Sequence, residues 1–249
     1  MAREIDRAII EPRRGKNDPR IHKTSILVFS ERELKALCTS AESCKKDEKN
    51  LYYSSCYEVS FKHKSFTIVG PVMGAPAAVL LLEKLIALGA NKIIVFGCGG
   101  SLNQDILIGD FVIPTGAVSE EGTSKHYPLP CHPEASTKIV DTLKTQCMEK
   151  NKNVFSGKVW TTDAPYRETV TKVKKYQGEG ILAVEMEMSA LLTVARFREV
   201  EIGGLIVISD ELFDLTWKSG FESKEFLSGV RSGCEIILAA CASLGSQDK

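Results

Sequence analysis

The chain has 249 residues, enough for one large α/β domain or two small ones, and its 32 Lys and Arg balance its 32 Asp and Glu. That neutrality argues against a nucleic-acid partner and against an anionic membrane surface. No Pro/Gly/Ser-rich linker, like-charge run or internal repeat divides the sequence, so one domain is expected.

In chain order, residues 1–23 are polar and aperiodic and are expected to form an arm, with the domain proper over 24–249. The opening MAREIDRAIIEPRRGK has no apolar leader segment, and no later run reads as long and apolar enough for a bilayer span. Residues 24–29 (TSILVF) read as a buried strand. Ser30 and Glu33 then stand at capping-box spacing, which starts a helix. Residues 52–61 and 65–70 suggest a hairpin, and GAPAAVLLLEKLIALGAN a helix that ends at Gly89. Residues 92–97 (KIIVFG) read as a strand followed by the small-residue loop CGGSL. DFVIPTGAV is a strand, 120–133 a polar loop and 134–150 an amphipathic helix. VFSGKVWTT is a strand, and PYRETVTKVKKYQ a helix with Pro165 in its first turn. ILAVEM, EMSALLTVARFRE and EIGGLIVIS read as strand, helix and strand, and a last helix runs from 223 to about 242. The eight cysteines are scattered with no C-x-x-C pair, as the reduced thiols of a cytoplasmic protein would be.

Strands alternating with helices predict an α/β fold with a largely parallel sheet covered on both faces. Ligands of such sheets collect at the carboxyl ends of the strands. The polar segments CGGS, TTDA, EME and SDE all fall where predicted strands end, which implies one site. Glu185-Met186-Glu187 has two readings. One glutamate is a helix N-terminal anion, or a carboxylate accepts hydrogen bonds from a sugar diol, with Met186 as the surface under the ring. Asp210, between Ser209 and Glu211, either caps a helix or is an acid of raised pKa that protonates a leaving group. Gly97-Cys98-Gly99-Gly100 is a tight turn or an anion nest. Leu102 stands where a dinucleotide fingerprint needs its third glycine, so no nicotinamide cofactor is expected. His126, Cys131 and His132 share one loop, but their spacing fits no zinc pattern, and no metal is expected.

Several stretches, in order, resemble the purine nucleoside phosphorylase/uridine phosphorylase family. They are GPVMGAPAAVLLLEKLIALGANKIIVFGCGGSL, GDFVIPTGAVSEEGTSKHY, VWTTDAPYRET, ILAVEMEMSALLTVA and LIVISDEL. The resemblance implies a single three-layer α/β/α domain around a central mixed, largely parallel sheet. It also implies cleavage of a nucleoside's N-glycosidic bond, with phosphate as co-substrate and no other cofactor. Carried over, Glu187 holds the ribose 2′ and 3′ hydroxyls, Met186 packs on the sugar, and Val184 and Glu185 border the base. Asp210, positioned by Ser209, hydrogen-bonds or protonates N7 of a purine. Cys98 and Gly99 line the substrate site, and Tyr166 substitutes for the family's ring over the base, whose position falls at Pro165. The Gln-x-Arg pair of uridine-specific members is missing from APYRETVTK, which favours purine. Family members are homo-oligomers, so a dimer or a hexamer is expected, with the arm a candidate contributor to a neighbouring site.

The chain departs from the family at its phosphate site. The loop G-D-P-x-R reads VFSERE here, a second arginine position falls near Tyr52, and R-V-G-[ST] reads Val95-Phe96-Gly97-Cys98. Each lost charge-assisted bond costs about 1.5–3 kcal/mol. Arg32 is the nearest remaining cation, with Lys62 or Lys64 as a second. Three readings therefore stand: phosphorolysis of a purine nucleoside, hydrolysis with Glu31 or Glu33 activating water, and a non-catalytic nucleoside-binding relative.

Overall fold

A computed structural model describes residues 8–129 and 133–244. Strand β1 (Thr24–Val28) is buried throughout, and helix α1 (Glu31–Ser40) begins where the capping pair predicts. Ser30 Oγ accepts from the Arg32 N–H at 3.1 Å and donates to the Glu33 carboxylate. Strand β2 (Ser43–Lys46) has no apolar pattern and went unread in the sequence. It pairs antiparallel with β3 (Ser55–Phe61), which forms the expected hairpin with β4 (Lys64–Gly70). Helix α2 (Ala75–Ala87) closes at Gly89, whose φ of 106° suits glycine, while the Ala90 N–H returns to Leu85 O. There follow β5 (Lys92–Ser101), β6 (Phe111–Glu120), α3 (Thr137–Glu149), β7 (Val154–Thr162) and α4 (Val170–Gly178). The chain ends with β8 (Ala183–Glu185), α5 (Met188–Phe197), β9 (Glu201–Glu211), β10 (Lys218–Ser219) and α6 (Lys224–Leu244).

Among the described residues the strands form one sheet in the order β10-β9-β6-β7-β8-β5-β1-β4-β3-β2. Strand β9 also pairs with β5, so β5, β9, β6, β7 and β8 close into a ring. Strands β1, β4, β5 and β9 run parallel, as do β6, β7 and β8 among themselves, but the second set runs against β5 and β9. The sheet is thus mixed, with its long registers parallel. Its pleat sends alternate residues to opposite faces. Leu27 and Val95 join Leu81, Leu85, Leu191 and Val194 of α2 and α5, whereas Ile26 and Ile94 join Leu34, Leu143 and Ile237 of α1, α3 and α6. That is the expected three-layer α/β/α arrangement.

Four expectations change. The segment CGGS is not a loop, because β5 continues to Ser101 and pairs with β9 on one side and β8 on the other. Its glycines serve close strand approach: a Cβ on Gly99 would lie 2.6 Å from Val184 O, and one on Gly100 2.9 Å from Asp210 Oδ2. Ser209, Asp210 and Glu211 lie inside β9, so Asp210 caps no helix. Helix α4 starts at Val170, capped by Thr169; Pro165–Arg167 form a separate 3-10 turn, since the chain must first come around the end of β7. Helix α6 is, by length and composition, long and apolar enough to cross a membrane, contrary to the sequence reading. Most of it is buried against α1, α3 and the sheet, which accounts for its composition.

Cys38 and Cys44 form a disulfide across the α1–β2 turn, their Cα atoms 5.2 Å apart, so not all the thiols are reduced. Cys56, Cys147, Cys234 and Cys241 are buried free thiols, and Cys131 and His132 lie outside the described residues. Residues 8–22 of the expected arm lie along α2 and α5 of the same chain. Lys84 Nζ meets Asp18 at 2.6 Å, Arg14 donates to Leu88 O at 2.6 Å, and Arg198 meets Glu11 at 3.2 Å.

The strand contacts of Gly99 give a direct test. Gly99→Ala is expected to cost about 1–3 kcal/mol in urea unfolding, because the atom it strikes is backbone. Gly178→Ala, with nothing within 4 Å of its added methyl group, should be neutral or stabilising.

Candidate active site

Strand β8 is three residues long, and the chain turns straight from it into α5. A helix start leaves backbone N–H groups without intrahelical partners. Here Glu185 takes two of them: its Oε2 accepts from Glu187 N at 2.6 Å and Met188 N at 2.7 Å. Its Oε1 accepts from the Thr161 hydroxyl at the end of β7, and Ser189 N donates back to Thr161 Oγ1 at 2.9 Å. Both Glu185 oxygens are therefore engaged within the protein, in the helix-terminal role that the sequence left as one of two readings. Burial pushes its pKa up and these donors oppose the rise.

Glu187 is the N-cap residue of α5 and is 4% exposed. Its Oε1 accepts from Gly74 N at 2.6 Å. Gly74, with φ 83°, is the N-cap of α2, so the positive ends of two helices meet at this carboxylate. Burial and the neighbouring Glu185 push its pKa up. Met186 is half-buried between the two glutamates. Val184 is buried and pairs with Gly100.

Across Gly100 from Val184 stands Asp210. The Ser209 hydroxyl donates to its Oδ1 at 2.6 Å, and the Trp217 indole N–H to its Oδ2 at 3.0 Å. Ser209 Oγ also lies 3.2 Å from Gly99 O, which ties β9 to β5 at this point. Burial raises the pKa of Asp210 against these two donors. Glu168, half-buried after the 3-10 turn, carries a carboxylate that meets no hydrogen bond or ion pair among the described residues. Burial, and then the charge of Asp210, push it up to about 7.

The remaining candidates separate. The Cys98 thiol sits among Glu33, Asp210 and Glu187; burial first, then Glu33, push it up to about 12. Glu33 is 1% exposed and its pKa is raised by burial. Glu31 faces solvent and meets Lys35 at 3.5 Å. Arg32 donates to Phe221 O and to Glu222 at 2.6 Å, with its guanidinium over the Phe226 ring. Lys64 opens β4 at the end of the sheet away from Gly70, and Lys62 lies in the hairpin turn before it, so neither is beside Cys98. Tyr166 is 99% exposed on the 3-10 turn. His126 is exposed, and no metal-holding group of His, Cys, Asp or Glu occurs among the described residues.

The structure therefore brings together Glu185, Met186, Glu187, Cys98, Gly99, Ser209 and Asp210, and adds Gly74, Thr161, Glu168 and Trp217. Sequence reading had Thr161 only as part of the TTDA segment and missed Gly74, Glu168 and Trp217. The Gly-Ala-Pro start of α2 was the one local signal for Gly74, because such a start exposes backbone donors.

The raised pKa of Glu187 has a consequence for stability. A group whose folded pKa exceeds its unfolded value favours the folded state fully below the unfolded value, 4.5 here, and loses that contribution as pH rises through the folded one. Glu187→Gln should therefore gain stability relative to the parent between pH 5 and pH 9, read by urea unfolding at each pH. A difference that stays flat with pH would contradict the burial assigned to this carboxylate.

Residues 23–242 match the Phosphorylase superfamily. Over 158 residues the chain is 28% identical to a guanosine phosphorylase of Halorubrum lacusprofundi, covering 61% of this chain and 64% of that protein. It is 32% identical over 158 residues to a DeoD-type purine nucleoside phosphorylase of Bacillus cereus, covering 62% of this chain and 67% of that one. In fold it is similar to the Toxoplasma gondii purine nucleoside phosphorylase solved with immucillin-H, at TM-score 0.84 and 22% identity over 92% of this chain and 93% of the other. It is similar also to uridine phosphorylase of Vibrio fischeri, at TM-score 0.82 and 21% identity over 90% and 93%. A match over 23–242, with the ring of strands and the glutamates at the start of α5 inside it, fixes the family: this chain belongs to the phosphorylase superfamily.

Proposed function

We propose that this protein cleaves the N-glycosidic bond of a purine nucleoside by phosphorolysis. The observation that carries the reading is the placement of two buried acids of different surroundings on the two flanks of β5: Glu187, just past β8, and Asp210, on β9. Breaking the bond builds positive charge on the ribose and negative charge on the departing base. A carboxylate against the sugar hydroxyls stabilises the first, and an acid of raised pKa beside the base neutralises the second. Glu187 takes the sugar role because its carboxylate lies at the meeting of α2 and α5. Asp210, held by Ser209 and Trp217, takes the base role. The two relatives named for guanosine and purine nucleoside phosphorolysis favour a purine substrate and phosphate as acceptor.

Phosphate enters next to Cys98 and Glu33 in this reading, and Arg32 reaches it by leaving Phe221 and Glu222. Residues 1–23 are the arm and 24–249 the catalytic domain. A cytoplasmic homo-oligomer, dimer or hexamer, completes the picture. Exposed Met73 beside Gly74, Tyr166 and Trp217 support a partner surface near the site, and light scattering at micromolar concentration tests it.

The deciding experiment is a nucleoside panel incubated with and without phosphate, following free base. Phosphate-dependent release from purine nucleosides is expected. Release that ignores phosphate and disappears in Glu33→Gln would mean hydrolysis, and no release from any nucleoside would mean a binding protein. Glu187→Gln should lower kcat/KM far more than Glu185→Gln, since only Glu187 is assigned to the sugar. Equal, small losses in both would overturn that assignment. Arg32→Ala should raise the KM for phosphate and leave nucleoside binding nearly unchanged. Asp210→Asn should cripple ordinary purine nucleosides and spare substrates whose base leaves without protonation.

A further inference from the structure

Trp217 is 64% exposed, on the turn between β9 and β10, yet its indole N–H points inward to Asp210 Oδ2 at 3.0 Å. A tryptophan whose ring stays largely in water adds little to the core, so its inward contact is polar rather than apolar. The turn that carries it is held from several sides. Ser219 of β10 pairs with Asp210 itself, Thr216 N donates to Asp214 at 2.9 Å, and Gln177 Nε2 donates to Phe213 O at 2.8 Å.

The two donors to Asp210 differ in kind. Ser209 Oγ lies within reach of both Asp210 Oδ1 and Gly99 O, so its single hydrogen has two acceptors. The indole N–H has Asp210 as its acceptor and a direction fixed by the ring.

We propose that Trp217 is a positioning residue for Asp210, its indole N–H orienting the carboxyl toward the base and tightening on it as the proton departs. The inference rests on the reading of Asp210 as the base-side acid. In the step, the C1′–N bond breaks, its electron pair passes to the base, and a phosphate oxygen forms the new bond to C1′. The Asp210 O–H gives its proton to a base nitrogen, and Asp210 is left a carboxylate. Hydrogen bonds to a carboxylate are roughly twice as strong as those to a neutral acid. The indole contact is therefore worth more in the transition state than before it, which is the condition for it to raise kcat.

The other titratable groups around Asp210 are Glu211 beside it, paired with Lys218 at 2.9 Å, Glu168 across the pocket, and the Cys98 thiol. All three remain when Trp217 is changed. Removing the N–H donor leaves Asp210 protonated to a higher pH, so the alkaline limb of the kcat profile should move upward even as its maximum falls.

The test compares the full chain with Trp217→Phe, which keeps a ring and loses the N–H. It also includes Trp217→His, whose Nε2 lies as many bonds from Cβ as the indole nitrogen. With guanosine, kcat of Trp217→Phe should fall about ten- to hundredfold, the rate equivalent of one charge-assisted bond, with KM within about twofold. With p-nitrophenyl β-ribofuranoside, whose leaving group needs no proton, the rate should hold. Trp217→His should recover most of the guanosine rate. Equal losses on both substrates, or an alkaline limb that does not move, would overturn the role and leave Trp217 a brace for its turn. If the parent releases base from no nucleoside, the functional reading fails separately. The Asp210 carboxyl titration, followed by carbon NMR in the parent and Trp217→Phe, then decides: an upward shift supports the contact, and an unmoved titration refutes it.

Discussion

Strand β5 keeps two partners at its carboxyl end because Gly99 and Gly100 have no side chains. A single methyl group there would meet Val184 O on one side, or Leu212 and Asp210 on the other. The close approach of β8 and β9 to β5 is what sets Glu185 and Glu187 on one flank of a single strand and Asp210 on the other. It also lets strands of opposite direction feed one site. The clusters TTDA and EME arrive on β7 and β8, SDE on β9, and they meet through the β5 seam rather than along a shared parallel edge.

The site that results is acidic, and its charges are held by neutral donors rather than by cations. Glu185 takes two N–H groups at the start of α5, Glu187 the N–H of Gly74, Asp210 a hydroxyl and an indole, and Glu33 the Ser30 hydroxyl. Three cations are engaged by other acids: Lys218 by Glu211, Lys172 by Glu120, and Arg32 by Glu222. Burial makes these acids keep their protons to higher pH, which lessens their opposition to an anion. In the proposed reading, the acceptor side is where this chain differs from the arginine-rich pattern of the family it resembles.

The base side adds an asymmetry. Asp210 is held from inside the sheet by Ser209 and from the surface by Trp217, whereas the Glu168 carboxylate, which feels the charge of Asp210, meets no hydrogen bond or ion pair among the described residues. Two donors fix the direction of Asp210, and among the described residues none fixes that of Glu168. Glu168 follows the 3-10 turn Pro165–Arg167 and precedes α4, outside the helix in which the sequence reading put it.

Much of this was determined by the sequence alone. Period-two and period-3.6 apolar patterns, the Ser30 and Glu33 pair and Gly89 marked the elements. The two acids in ILAVEMEMSALL and the acid after LIVI stood out because charge inside an apolar run needs a partner. The partners themselves were decided only in three dimensions. Gly74 lies 113 residues from Glu187, Thr161 lies 24 from Glu185, and Arg32 finds Glu222 across 190. Local patterning reports which face a residue shows to its own helix or strand. Which of the two glutamates takes the N–H groups at the start of α5 and which takes that of Gly74, and whether CGGS turns or continues as strand, depended on the closing of β8 and β9 against β5. That closure is a packing event among segments far apart in the chain, and no local pattern records it.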